Sequence, residues 1–227
     1  MKKGILLLLL LNILLTANSQ KLGQVVFSRG SVLSSIGFVA DQQVIIRVSD
    51  NGSLIEWGME MESYRYNYQP GKLLPFMGRV DYYGQESDSS FRGKVKSIGT
   101  CFITYYPLSE TPERAGKIKS LGMLQFDYFS QYDNAAFRGK LKSAGNYLLT
   151  YFASYDNEAI RGKIKSIDSC PITYFTSFED KVIAGKVKSI CSVNFEWYTS
   201  RDRRELQGSL KSGRYQQVIN SIQYMLL

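Results

Sequence analysis

The stretch FRGKLKSAG at residues 137–145 returns as FRGKVKSIG at 91–99, RAGKIKSLG at 114–122, IRGKIKSID at 160–168 and IAGKVKSIC at 183–191. Aligned on the glycine before the lysine, the chain divides at Gly71, Gly93, Gly116, Gly139, Gly162, Gly185 and Gly208, one step of 22 residues followed by five of 23. Gly30 (GSVLSSIG) and Gly52 (GSLIEWG) open similar segments, which makes nine units with degenerate ends. A unit of this size is one supersecondary element that cannot bury its apolar face alone, and atypical end units are what an array needs to close its exposed faces. The expectation is a single repeat domain over residues 20–227.

Within a unit the periodicity is two, which is the signature of a half-buried strand. In FRGKLKSA it would place Phe137, Gly139, Leu141 and Ser143 on one face, with Arg138, Lys140, Lys142 and Ala144 on the other. In YLLTYF, Tyr147, Leu149 and Tyr151 would oppose Leu148, Thr150 and Phe152. The dipeptide GN between the two runs suits a tight turn, and ASYDNEA after the second suits a longer one. Each unit therefore predicts a β-hairpin, and the chain an all-β antiparallel meander of about eighteen strands.

The columns carry the pattern further. Val95, Ile118, Leu141, Ile164, Val187 and Leu210 share one position, and the pairs Ile103/Tyr105, Phe126/Tyr128, Leu149/Tyr151, Ile172/Tyr174 and Phe195/Trp197 share two others. A continuous apolar face of this kind cannot remain in water. The sheet must curve strongly into a half-pipe or closed barrel, fold over, or dock on a partner; a glycine column in mid-strand would favour the bend.

The opposite face predicts a lysine ladder. Lys94, Lys117, Lys140, Lys163 and Lys186 form one row, and Lys96, Lys119, Lys142, Lys165, Lys188 and Lys211 a second, with Tyr106, Phe129, Phe152, Phe175 and Tyr198 interleaved. Members of a row lie two strands apart, about 9.5 Å at normal strand spacing. Evenly spaced cations beside aromatic rings suit an anionic polymer, such as an acidic polysaccharide or another anionic envelope component.

The 23-residue hairpin with an aromatic residue two before the glycine and a hydrophobe two after it, as in FRGKL and FRGKV, together with ITYY and LTYF in the second strand, resembles the MORN repeat over roughly residues 71–207. The resemblance implies an elongated single sheet used for scaffolding or for contact with membranes.

Other features bound the function. Residues 1–19 have a basic start (Met1, Lys2, Lys3), an apolar run and small residues before Gln20, the pattern of a cleaved export signal; the mature chain is expected in the periplasm, at the surface or outside a bacterial cell. No later stretch is long and apolar enough for a membrane-spanning helix. The net charge is +8. Histidine is absent, which excludes imidazole-based zinc sites and Ser-His-Asp or Cys-His catalysis.

Three cysteines, Cys101, Cys170 and Cys191, leave at least one without a partner in the chain. Placed at equivalent positions two strands apart, Cys170 and Cys191 would sit about 9.5 Å from each other, beyond the roughly 4.4–6.8 Å that a disulfide spans, so no internal bridge is expected. The acidic column Asp88, Glu110, Asp133, Asp156, Glu179 and Asp202 lies in the long turns, where a carboxylate caps its own backbone.

No catalytic residue, metal ligand or cofactor is assigned. The best expectation is a non-catalytic exported repeat protein with a structural or anion-binding role and no specific nucleic-acid partner. A solvated sheet face whose lysines block aggregation, a carboxylate-based glycan hydrolase and an outer-membrane barrel stand as alternatives.

Overall fold

A computed structural model of the protein describes residues 20–61 and 68–227; the export signal expected over residues 1–19 lies outside them. Strands β1 (Lys21–Ser28), β2 (Val32–Val39), β3 (Val44–Val48) and β4 (Leu54–Glu60) form a meander that β5 (Leu73–Leu74) joins at one edge. From β6 (Val80–Tyr82) the repeats begin. Five hairpins follow: β7 (Val95–Ile98) with β8 (Cys101–Tyr105), β9 (Ile118–Leu121) with β10 (Leu124–Tyr128), β11 (Leu141–Ala144) with β12 (Tyr147–Tyr151), β13 (Ile164–Ile167) with β14 (Cys170–Tyr174), and β15 (Val187–Ile190) with β16 (Val193–Asn194). Two more pairs end the chain, β17 (Glu196–Trp197) with β18 (Leu210–Ser212) and β19 (Gln216–Ile219) with β20 (Ile222–Leu226).

The fold is the all-β antiparallel hairpin meander that the repeat predicts, with no α-helix among the described residues. Eleven strands, β6 to β16, lie side by side in chain order, and β6 and β16 are the open ends of that sheet. The hairpins opened by Gly30 and Gly52 do not extend the series. They belong to a second, curled sheet ordered β19-β20-β1-β2-β3-β4-β5, in which β1 and β20 run parallel.

That second sheet is what covers the apolar face of the repeats. Val95, Ile118, Leu141, Ile164 and Val187 are buried, as are the paired columns from Ile103/Tyr105 to Phe195/Trp197, and they share one core with Val25, Phe27, Ile36, Phe38, Ile46 and Val48. Phe38 meets Phe126 across the sheets edge to face, with ring centroids 5.2 Å apart. The chain thus resolves its exposed-face problem by folding its own ends over the array.

The turn tips of the covering sheet are seated on main-chain groups of the repeats. The N–H of Ile118 donates to Gly52 O (3.1 Å), that of Leu141 to Asp50 O (2.6 Å) and that of Val187 to Gly30 O (2.8 Å). Glycine is required at both tips: a Cβ at Gly30 would overlap the Trp197 ring, and one at Gly52 the Tyr128 hydroxyl.

Two local devices depart from the period-two expectation. The repeat glycine is not in mid-strand. Gly93, Gly116, Gly139, Gly162, Gly185 and Gly208 all have φ between +71° and +77°, and each ends a single helical turn. In the third full unit Phe137 N–H and Arg138 N–H both bond to Asn134 O, and Gly139 N–H to Phe129 O. A left-handed residue after a helical turn is the usual place for glycine, so FRG belongs to a turn and the strand starts two residues later.

The second device is a β-bulge, repeated in every unit. Tyr128 pairs with Leu141 but Asp127 with Ser143, so Lys142 is the extra residue; the same shift occurs at Tyr82, Tyr105, Tyr151, Tyr174 and Trp197. A bulge resets the alternation by one. Ser143 therefore points outward with Asp127 and Leu148, and Ala144 inward, the reverse of the simple alternation.

The cysteine expectation also fails. Cys170 and Cys191 form a disulfide with Cα atoms 4.7 Å apart. They are not equivalent positions: Cys170 opens β14, whereas Cys191 follows β15, the strand next to it, and Cys191 N–H donates to Pro171 O at 2.8 Å. One strand spacing separates them, not two. Cys101 remains free and buried.

Two measurements check these features. Cys170→Ala/Cys191→Ala should lower the unfolding free energy by about 3 kcal/mol, the entropic worth of closing a loop of this size, and reductant should then have no further effect on the denaturation midpoint. Gly93→Ala meets no atom within 4 Å at φ +77° and should cost about 1–2 kcal/mol from backbone conformation alone. Gly162→Ala should cost more, because its Cβ would lie 2.8 Å from the fixed Ala136 carbonyl oxygen.

Candidate functional site

The two lysine rows separate in the structure. Lys94, Lys117, Lys140, Lys163 and Lys186 follow the left-handed glycine and turn toward the core side, where all five are half-buried. Their ammonium groups reach the next unit's glycine carbonyl: Lys94 to Gly116 O (2.6 Å), Lys117 to Gly139 O (2.5 Å), Lys140 to Gly162 O (2.8 Å) and Lys163 to Gly185 O (2.7 Å). Each also lies over a core ring, from Tyr105 and Tyr128 through Tyr151 and Tyr174 to Trp197, at 4.6–5.2 Å from the centroid.

This inner row also binds the covering sheet. Lys140 pairs with Asp50 (2.8 Å), Lys163 donates to Ser31 Oγ (2.6 Å) and Lys186 to Arg29 O (2.6 Å). Its ammonium groups are directed into the protein, so the expectation that the row faces a ligand is corrected. Lys94 lines a cavity of about 380 Å³ with Tyr105 and with Gly52, Ser53 and Trp57 of the covering sheet.

Lys96, Lys119, Lys142, Lys165, Lys188 and Lys211 are all exposed. Each follows the aliphatic residue that opens its strand, as Lys142 follows the buried Leu141, so alternation aims it at solvent, and the bulge leaves it opposite no partner. Each stem crosses a ring of the preceding unit, Tyr83, Tyr106, Phe129, Phe152, Phe175 or Tyr198, with the ammonium 5.1–5.9 Å from the centroid. Tyr106, Phe129, Phe152, Phe175 and Tyr198 are themselves half-buried, and the first four pack against the core. They serve as a floor for the lysines rather than as free stacking platforms. Outward hydroxyl pairs, Thr104 with Ser120, Thr150 with Ser166 and Thr173 with Ser189, each at 2.6 Å, tie neighbouring units beneath the row.

Five of the six acids in the column, all but Glu110, cap the long turns. Asp133 accepts from Ser130 N–H and Oγ, Asp156 from Ala153 N–H, Glu179 from Thr176 N–H, Asp202 from Thr199 N–H and Oγ, and Asp88 from Ser90 N–H. The Ser130 side-chain bond first, then its N–H, holds the Asp133 carboxyl below the ordinary range. No group of three or more His, Cys, Asp or Glu side chains placed to share a metal ion occurs among the described residues.

A second column was not legible as functional. Seven residues before the glycine, Tyr132, Tyr155 and Phe178 stand at successive loop tips with 90%, 86% and 90% of their surface exposed. The loops beneath them are locked to each other. Asn134 Oδ1 accepts from Ala136 N–H (3.0 Å) and from Ser154 N–H of the next unit (2.9 Å), and Asn157 repeats this with Ala159 and Ser177 (3.1 and 3.0 Å). Asp180 does the same for Val182 and Ser200. The only sequence signal was a recurring aromatic before the turn acid.

Lys163 gives the joint between the sheets a pH signature. Burial, and secondarily the charge of Lys186, bring its pKa from 10.5 down to about 8. A lysine whose folded value is lowered binds fewer protons than in the unfolded chain between the two values, so stability rises with pH across that window. The difference in unfolding free energy between the natural protein and Lys163→Met should therefore shift in favour of the natural protein from about pH 8 upward, measured by denaturant melts at each pH. Compared with protein-family models, curated proteins and solved structures, the chain matches none.

Proposed function

We propose that the protein is a non-catalytic exported binding module whose outer lysine row holds an anionic polymer. The observation that carries this is the asymmetry between the rows. The inner ammonium groups are consumed by carbonyls, whereas in the outer row only Lys188 forms an ion pair among the described residues, with Glu179 at 2.9 Å. Lys96, Lys119, Lys142 and Lys165, exposed and without an ion pair among the described residues, follow one another at a step of two strands, about 9.5 Å, and suit a ligand with charge distributed along its length. The rings beneath restrict the lysine stems, which lowers the entropy lost on binding.

An acidic polysaccharide or another anionic envelope component fits such a row. Export is supported by the leader-like residues 1–19 and by the Cys170–Cys191 bridge, since disulfides persist in oxidising compartments. The MORN-like spacing agrees with a scaffold that presents a long repetitive surface.

The test is retention on immobilised heparin over a salt gradient. Counterion release makes affinity fall steeply as salt rises. Lys119→Gln/Lys142→Gln/Lys165→Gln should elute at clearly lower salt than Lys21→Gln/Lys72→Gln/Arg92→Gln, which removes the same charge elsewhere. Equal elution of the two variants would reduce the interaction to net charge and overturn the site. The fold should be intact in both, because exposed substitutions usually cost within about 0.5 kcal/mol.

A further inference from the structure

We propose that Tyr132, Tyr155 and Phe178 form a stacking row for the sugar rings of an acidic polysaccharide whose charges are held by the neighbouring outer lysines; this rests on the polyanion reading above and narrows it to one ligand class. Large rings at 86–90% exposure in three consecutive units are a contiguous apolar feature that a folded chain does not need for its own stability. They make no ring contact among the described residues, yet the hydrogen-bond ladder through Asn134, Asn157 and Asp180 fixes the loops that carry them. Their step is therefore that of the hairpins, about 9.5 Å.

The loops that carry the rings adjoin the lysines. Glu179, next to Phe178 in the chain, pairs with Lys188, and Asp133, next to Tyr132, lies within the field of Lys142. At the C-terminal end Phe178, Lys181 and Arg201 line an open groove of about 680 Å³ together with Glu179 and Asp180, whose carboxylates are engaged by Lys188 and Ser200. Each hairpin step thus offers one flat apolar ring and one cation. An extended glycan with a carboxylate on alternate sugars offers the complement: one charge and one apolar sugar face per disaccharide.

Two other occupants fit less well. A single-stranded nucleic acid carries a phosphate on every residue, and some of those charges would fall on Asp133, Asp156 and Glu179. A second copy of the chain needs about 800 Å² per partner for a stable interface, while three rings bury at most roughly 250 Å² each.

The experiment measures binding of the mature chain, at physiological ionic strength, to hyaluronan and to polyphosphate, by calorimetry. Three proteins are compared: the natural chain, Tyr132→Ala/Tyr155→Ala/Phe178→Ala, and Lys119→Gln/Lys142→Gln/Lys165→Gln. The tip variant should bind hyaluronan about tenfold or more weakly, the scale of lost aromatic stacking, and polyphosphate unchanged; the lysine variant should lose both. Tyr132→Trp/Tyr155→Trp/Phe178→Trp should keep hyaluronan binding.

A tip variant that binds hyaluronan like the natural chain overturns the stacking row and leaves the lysine site standing. A natural chain that binds neither polymer overturns both. Tip-dependent binding that is stronger for a single-stranded oligonucleotide than for hyaluronan, or a tip-dependent dimer in sedimentation, overturns the glycan as occupant.

Discussion

A lysine ammonium donated to the glycine carbonyl of the following unit is the contact on which the rest of the structure depends. It joins consecutive hairpins at the one place where the backbone leaves the sheet, and hydrogen bonds from charged donors are worth about 1.5–3 kcal/mol each. The same lysines receive the turns of the covering sheet through Asp50, Ser31 and Arg29. Repeat-to-repeat and sheet-to-sheet cohesion therefore run through one row of half-buried cations, placed over rings whose π faces offset part of their lost hydration.

The two lysines of each GKxK segment have different fates because the glycine before the first has a positive φ. Unbroken alternation would put Lys140 and Lys142 on one face. Gly139, at φ +73°, instead ends a helical turn and delays the strand to Leu141, so Lys140 serves the interior while Lys142, next to the inward Leu141, is delivered to solvent over an aromatic floor. One backbone irregularity, repeated at the same place in each unit, thus divides a uniform motif into a structural half and a solvent-facing half.

Much of this fold is legible in the sequence. The 23-residue period, the hairpin per unit and the buried columns at Leu141, Leu149 and Tyr151 follow from local patterning, because each is decided within one unit. What was not legible depends on backbone signs or distant partners. Period-two counting assumes an unbroken strand, so it carried the alternation through Gly139, whose φ is +73°, and through the bulge at Lys142. The cover formed by β1 to β4 and β20 is non-local. The Cys170–Cys191 bridge is not legible because repeat spacing places equivalent positions two strands apart, whereas Cys170 opens β14 and Cys191 follows the adjacent β15.

The two hairpin tips of the covering sheet act as a ruler. One tip is seated on Ile118 and Leu141 and the other on Val187, so two turns of one sheet are pinned to units two to three hairpins apart. Open solenoids gain or lose units by duplication with little penalty. Here an added unit between those seats would lift one tip off its carbonyl bond and its ring, so copy number is fixed by the lid rather than by the units themselves.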